Sequence, residues 1–203
     1  MTPRIITTML DKKNIIEYFN AHASAWDEEM IKNDEVVARI LNNAGVSEGK
    51  DILDVATGTG VLISDYKERN VASVTAIDIS PEMAAICAHK FPDVNVICGD
   101  VETTSFERLF DCIVVYNAFP HFPDPEKLIE RLSSQLKPGG SLTVAHGMSR
   151  EKIDRHHEGS ASKVSNGLMH EDELAEIFSK FLTVTHKISD SEMYQVVGEK
   201  ADR

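Results

Sequence analysis

Two kinds of apolar pattern divide the chain. Within residues 12–31, Ile15, Phe19, Ala23, Trp26 and Met30 recur every three or four positions, which puts them on one face of a helix. Val36, Val37, Ile40, Leu41 and Ala44 mark a second amphipathic helix, and Gly45 suits its C-terminal cap. From Asp51 onward the pattern changes to short apolar runs of strand length at residues 52–55, 72–77, 94–98, 111–116 and 141–145. Runs of this kind, such as Cys112-Ile-Val-Val115, belong to strands buried on both faces of a parallel sheet. Helical spacing separates them, first over residues 61–69, then at Met83, Ile86, Cys87 and Phe91, then at Leu128, Ile129, Leu132 and Leu136.

The punctuation agrees with these periods. Ser80-Pro81-Glu82 offers a hydroxyl N-cap, a proline at the first helical position and an acid in the first turn. Asp124-Pro125 starts another helix, and Lys137-Pro-Gly-Gly140 ends it before the fifth strand. Residues 147–169 are polar and longer than a usual connector, so a partly helical cover over an active site is expected there. A helix over 172–181 and two strands over 182–188 and 193–197, with a turn at Ser189-Asp-Ser191, complete the chain. The predicted fold is α/β: a mostly parallel sheet of seven strands, the last antiparallel, with helices on both faces. One domain spans 1–203, divided into an N-terminal helical lid or flank (1–48), a core (51–146), the cover segment (147–170) and a last helix with a closing hairpin (171–203).

Composition narrows the partners. The 203 residues carry 21 Lys+Arg against 33 Asp+Glu, a formal net charge of −12, and Lys/Arg with interleaved aromatics do not cluster. Such a surface repels nucleic acid and anionic membrane. No apolar run approaches the roughly 20 residues of a membrane span. The first residues also lack a signal-peptide core. A cytoplasmic location is the expectation. Cys87, Cys98 and Cys112 lie far apart in apolar segments, as buried thiols do in a reducing compartment.

The chemistry starts at Asp54-Val-Ala-Thr-Gly-Thr-Gly60, a glycine turn between the first strand and its helix. In an open parallel sheet such a turn borders the crevice where ligands bind. The dinucleotide fingerprint asks for a small residue three positions after its second glycine, where this chain has Ile63. No Tyr-x-x-x-Lys pair accompanies the turn, which also counts against an NAD-dependent oxidoreductase. The string instead resembles the first motif of the class I S-adenosylmethionine (SAM) dependent methyltransferases, with Ala56 standing where the family has its first glycine. Ala76-Ile-Asp-Ile-Ser-Pro-Glu-Met83 resembles the family's second motif, with Asp78 eighteen residues beyond Gly60 at the end of strand two. Cys98-Gly-Asp-Val101 and Val115-Tyr-Asn-Ala-Phe-Pro-His-Phe122 match the next two strand ends. Tyr18-Phe-Asn-Ala-His-Ala-Ser-Ala-Trp-Asp27 is similar to the aromatic lid helix of small-molecule enzymes of the ubiquinone/menaquinone-methylating type. The resemblance covers residues 51–198 and implies a Rossmann-like fold.

It also implies a cofactor site. Asp54, Ala56, Thr57, Gly58 and Gly60 form the turn around SAM or its product S-adenosylhomocysteine (SAH). Asp78 takes the ribose diol, and Ile79 and Met83 flank the adenine. Asp100 accepts from the adenine amine, with the Val101 N–H on a ring nitrogen. Asn117 presents its carbonyl to the SAM ammonium, and Tyr18 and Trp26 cover the methionine end. A protein that binds SAM without turnover is the alternative.

Methyl transfer from a sulfonium is an in-line displacement, catalysed largely by alignment and exclusion of water. A base is needed only if the acceptor must lose a proton. His121 after strand four, His146 at the end of strand five and His156 in the cover segment are the candidates for that role. A metal held by these three is the weaker reading, because no carboxylate or cysteine stands at a ligand spacing. The expected acceptor is a small molecule rather than nucleic acid. Asn117-Ala-Phe-Pro120 also differs from the Asp/Asn-Pro-Pro-Tyr/Phe motif of amino-methylating nucleic-acid and protein enzymes.

Overall fold

The computed structural model describes residues 10–157 and 164–202, apart from the side chains of residues 154–157. Strands β1 (Asp51–Val55), β2 (Ser73–Asp78), β3 (Asn95–Cys98), β4 (Phe110–Tyr116), β5 (Leu136–His146), β6 (Thr183–Ser189) and β7 (Tyr194–Glu199) form one seven-stranded sheet in the order β3-β2-β1-β4-β5-β7-β6. β1 to β5 pair in parallel, and β7 runs antiparallel to both β5 and β6. The mostly parallel sheet with an antiparallel last strand is therefore present as expected.

The pleat accounts for how the core is shared. Ile52, Val74, Cys112 and Val114 face one apolar layer, completed by α3 (Asp34–Asn43) and by Leu62 and Tyr66. Their neighbours Leu53, Ile113, Val115, Leu142 and Val144 face the other, where α6 (Pro125–Ser134) and α8 (Glu171–Phe178) supply Leu128, Leu132 and Phe178. Successive strand residues point to opposite faces, so a run apolar at every position is what a sheet covered on both sides demands. The chain proceeds outward from β1 to β2 and β3, then returns to the other side of β1 as β4. That reversal opens a crevice at the carboxyl ends of β1 and β4.

Several boundaries differ from the periodicity. The first helix is split into α1 (Lys12–His22), a 3-10 turn (Ala23–Ala25) and the single-turn α2 (Trp26–Glu29). The bend carries Asp27 to the glycine turn, where it accepts from Thr59 Oγ1 (2.5 Å) and from Lys90 Nζ (2.7 Å). Asn20 accepts from Ser80 Oγ at 2.7 Å, and Lys32 pairs with Asp65 at 2.7 Å, so the N-terminal helices are tied down along the crevice. The glycine turn delays α4 (Ile63–Glu68) by two residues. α5 (Pro81–Lys90) starts as expected, with Ser80 Oγ accepting from Met83 N.

β5 begins at Leu136, earlier than the sequence pattern implies, because Leu136 pairs with Phe110 ahead of a bulge. Gly140 inside it allows the close passage: a Cβ there would stand 2.9–3.1 Å from three backbone oxygens. Lys137 Nζ caps this end of the sheet between the carboxylates of Asp51 (2.8 Å) and Asp111 (2.7 Å). Residues after β5 include α7 (Arg150–His157), and no helix among the described residues is long and apolar enough to cross a membrane.

Candidate active site

After β1 the backbone enters the left-handed region at Ala56 (φ 53°), Gly58 (φ 58°) and Gly60 (φ 89°). The conformation is free for glycine and costs an alanine roughly 1–2 kcal/mol. It returns Thr57 N to Ile77 O at 3.1 Å and points Gly58 N at Asp78 Oδ2 at 2.8 Å. The other oxygen of Asp78 accepts from Ser80 N at 2.8 Å, so one carboxylate holds the turns after β1 and β2 together. Burial raises its pKa, while the two backbone N–H groups work in the opposite direction. Each oxygen retains lone-pair capacity toward a hydroxyl.

Between these turns lies a cleft of about 700 Å³, its solvent-open mouth included. The strand order gives it a direction. Ile79, Gly99, Asp100 and Val101, beyond the ends of β2 and β3, and Met83 in the first turn of α5 line one end. Asp78, Gly58 and Ala56 line the middle, and Asn117, Ala118 and His121, beyond β4, line the other end. Phe19 and Trp26 reach in from the N-terminal helices, the Trp26 Nε1 lying 3.7 Å from where a Gly58 Cβ would be.

Asp54, Thr57 and Gly60 do not line this cavity. Asp54 is buried beneath the turn, accepting from Thr57 Oγ1 at 2.6 Å and from Tyr66 OH at 3.1 Å. Burial raises its pKa to about 7, against the pull of both hydroxyls. It braces the turn from below. At Gly60 an added Cβ would meet Phe91 Cε2 at 2.8 Å, Ile63 Cδ1 at 2.9 Å and Cys87 Sγ at 3.0 Å, so this glycine serves the packing of α4 and α5.

A second chamber, about 1210 Å³ with its solvent-open mouth included, adjoins the first and shares Phe19, Trp26, Asn117 and His121 with it. Tyr18, Met30, Ile31, Val61, Met148 and Ile153 form its apolar and aromatic walls, with Tyr116, His146 and Glu29 as polar members. Tyr18 thus borders this chamber rather than the first cavity. The region expected to cover the site contributes Met148 and Ile153.

The histidines differ in setting. His121 Nδ1 lies 2.7 Å from Val164 O, and its ring stands edge-on to Phe19 at 5.0 Å. A carbonyl only accepts, so Nδ1 carries the proton and Nε2 the lone pair in the neutral ring. His146 is 2% exposed and lies 6.1 Å from the Tyr194 ring. His156 belongs to α7, and its side chain lies outside those described. Among the described residues no group of three or more His, Cys, Asp or Glu is placed to hold a metal ion.

Asn117 adopts φ 52° and is held by both sides of its peptide chain: its N–H donates to Ala145 O at 2.9 Å, and its side-chain oxygen accepts from Gly147 N at 3.0 Å. Lys12 and Glu102 also line the first cavity. Neither belongs to a motif, and they are 90 residues apart, so no local pattern announces them.

Residues 52–140 match the family model described as a methyltransferase domain. The chain is 31% identical over 140 residues to the malonyl-[acyl-carrier protein] O-methyltransferase of Priestia megaterium, covering 66% of this chain and 51% of that protein. It is 36% identical over 98 residues to the demethylmenaquinone methyltransferase of Chlorobaculum tepidum, covering 48% and 40%. The chain spans about half the length of these curated relatives, or less. Among solved structures, the DhpI–SAH complex superposes with a TM-score of 0.75 at 21% identity, over 94% of this chain and 97% of that one, a likeness of fold. The matched segment is a methyltransferase domain, and with this strand order and the glycine turn above Asp54 the chain is similar to the class I SAM-dependent methyltransferases.

Proposed function

We propose that the protein transfers the methyl group of SAM to a small organic acceptor held in the second chamber. The observation that carries this reading is the meeting of the two chambers at Phe19, Trp26, Asn117 and His121. SAM supplies an electrophilic methyl on a sulfonium. A methyl donor must lie where the cavities join, so its ribose falls beside Asp78 and its adenine beside Met83, Val101 and Asp100. The residues fit that group: an acceptor-only carboxylate for a diol and apolar side chains for a purine face.

Trp26 and Phe19 exclude water from the junction, and the apolar walls around Tyr18, Met30 and Ile153 align the acceptor, which is where most of the rate of a displacement originates. His121, its tautomer fixed by the Val164 carbonyl, accepts the acceptor's proton at Nε2. The curated relatives are named for malonyl-[acyl-carrier protein] and for demethylmenaquinone, and the malonyl group of the first and the quinone of the second are organic acceptors of the kind the chamber would take.

Incubation with methyl-labelled SAM and a fractionated metabolite pool tests the reading. Label is expected in a small molecule, and none in any fraction would refute turnover. His121→Ala is expected to lower transfer by about 100-fold or more while SAH binding persists. Full transfer in both His121→Ala and His146→Ala would remove the base role.

A further inference from the structure

Lys12, the first residue of α1, reaches across the chain to the purine end of the cofactor cavity. Its ammonium donates to Asp100 Oδ2 at 2.6 Å and also to Glu102 Oε2. Burial opposes the charge on Lys12, yet the hydrogen bonds and charges of the two acids outweigh it and raise its pKa. The Glu102 side chain is only 4% exposed, so this carboxylate has little solvent to rely on. The other oxygen of Asp100 accepts from Glu102 N at 3.0 Å. The Asp100 carboxylate is thereby gripped from two directions, with Oδ1 keeping a lone-pair site.

We infer that Lys12 is a positioning residue for purine recognition: it fixes Asp100 as an acceptor, so that the site takes the 6-amino purine of SAM and rejects a 6-oxo purine. The inference rests on the reading of this cavity as the SAM site. A carboxylate paired with an ammonium offers lone pairs and no proton. It bonds the adenine amine and faces the carbonyl of hypoxanthine with repulsion. Without Lys12, Asp100 and the nearly buried Glu102 are two neighbouring acids with no cation between them. Like charges so placed repel, so Asp100 is no longer held as an acceptor toward the purine and the site tolerates a 6-oxo group. Because the lysine sits on the same helix as Phe19, the contact also ties the purine end to the chamber junction.

Calorimetric titration of the intact protein with SAH and with S-inosylhomocysteine, its 6-oxo counterpart, tests this. Wild type is expected to prefer SAH by about 10- to 100-fold, the worth of a charge-assisted hydrogen bond. Lys12→Met is expected to lose most of that ratio, chiefly through weaker SAH binding, and Lys12→Arg to restore much of it. Circular dichroism confirms that each variant is folded. Should Lys12→Met not fold, the ratio in wild type at rising salt takes its place and is expected to fall as the partly exposed Lys12–Asp100 pair is screened, and a ratio unmoved by salt overturns the inference. An unchanged ratio in Lys12→Met, or a wild type that binds both ligands equally, overturns the inference. A wild type that binds neither ligand refutes the cofactor reading itself.

Discussion

Asp54 offers a quantitative test of how the glycine turn is supported. The side chain is buried, its two contacts are hydroxyls, and no cation accompanies it in either of them. Burial lifts its pKa from 3.8 to about 7, with Asp78 adding to the rise. A carboxyl whose pKa is higher folded than unfolded favours the native state while protonated. That advantage is complete below pH 4 and disappears as the pH climbs through about 7. The shift corresponds to about 4 kcal/mol between the two limits. Asp54→Asn removes the titration while leaving an oxygen to accept one hydroxyl and an amide to donate to the other. Urea unfolding of both proteins at pH 4.5, 6 and 8 therefore gives a stability difference that moves toward the variant by several kcal/mol as the pH rises. Asp51 and Asp111, whose pKa values are lowered by Lys137, lose stabilisation at low pH in both proteins and cancel from the difference. A difference constant within about 1 kcal/mol over that range would refute the reasoning.

Three substitutions probe the turn above it. Ala56→Gly relieves a left-handed alanine and is expected to raise the unfolding midpoint, by up to about 1 kcal/mol after the added chain entropy of glycine. Gly60→Ala forces a Cβ against Phe91, Ile63 and Cys87 at φ 89° and is expected to destabilise by about 2–4 kcal/mol in chemical denaturation. Asp78→Asn sets an amide donor against the N–H of Gly58 or Ser80 and removes the charge facing the ribose. SAH affinity is expected to fall about 10- to 100-fold by calorimetry, and unchanged affinity would remove Asp78 from the site.

The sequence carried the architecture because its signals are local. Apolar runs such as Cys112-Ile-Val-Val115 and the Ser80-Pro81 helix start each depend on neighbouring residues, and their alternation leaves few topologies. Asp78, Asp100 and Asn117 were legible for the same reason: each follows a strand end, and the crevice gathers strand ends. What escaped depends on contacts distant in sequence. The break at Ala23–Ala25 exists because Asp27 must meet Thr59 and Lys90. Asp54 sits under the turn because Tyr66 and Thr57 bond it there, a direction that no motif encodes. Lys12 is one lysine at a helix start until the fold brings it to Asp100 and Glu102. The second chamber draws its walls from α1, α2, β4, β5 and α7, and no single stretch announces it.

The central claim is that the crevice above β1 and β4 binds SAM in an extended form, purine toward β3 and sulfonium toward the second chamber. Calorimetric titration of the wild-type protein with SAH, and in parallel with NAD, tests it most directly. Saturable binding of SAH at one site per chain, with no heat from NAD, is the predicted result. Binding of NAD with none of SAH would contradict it.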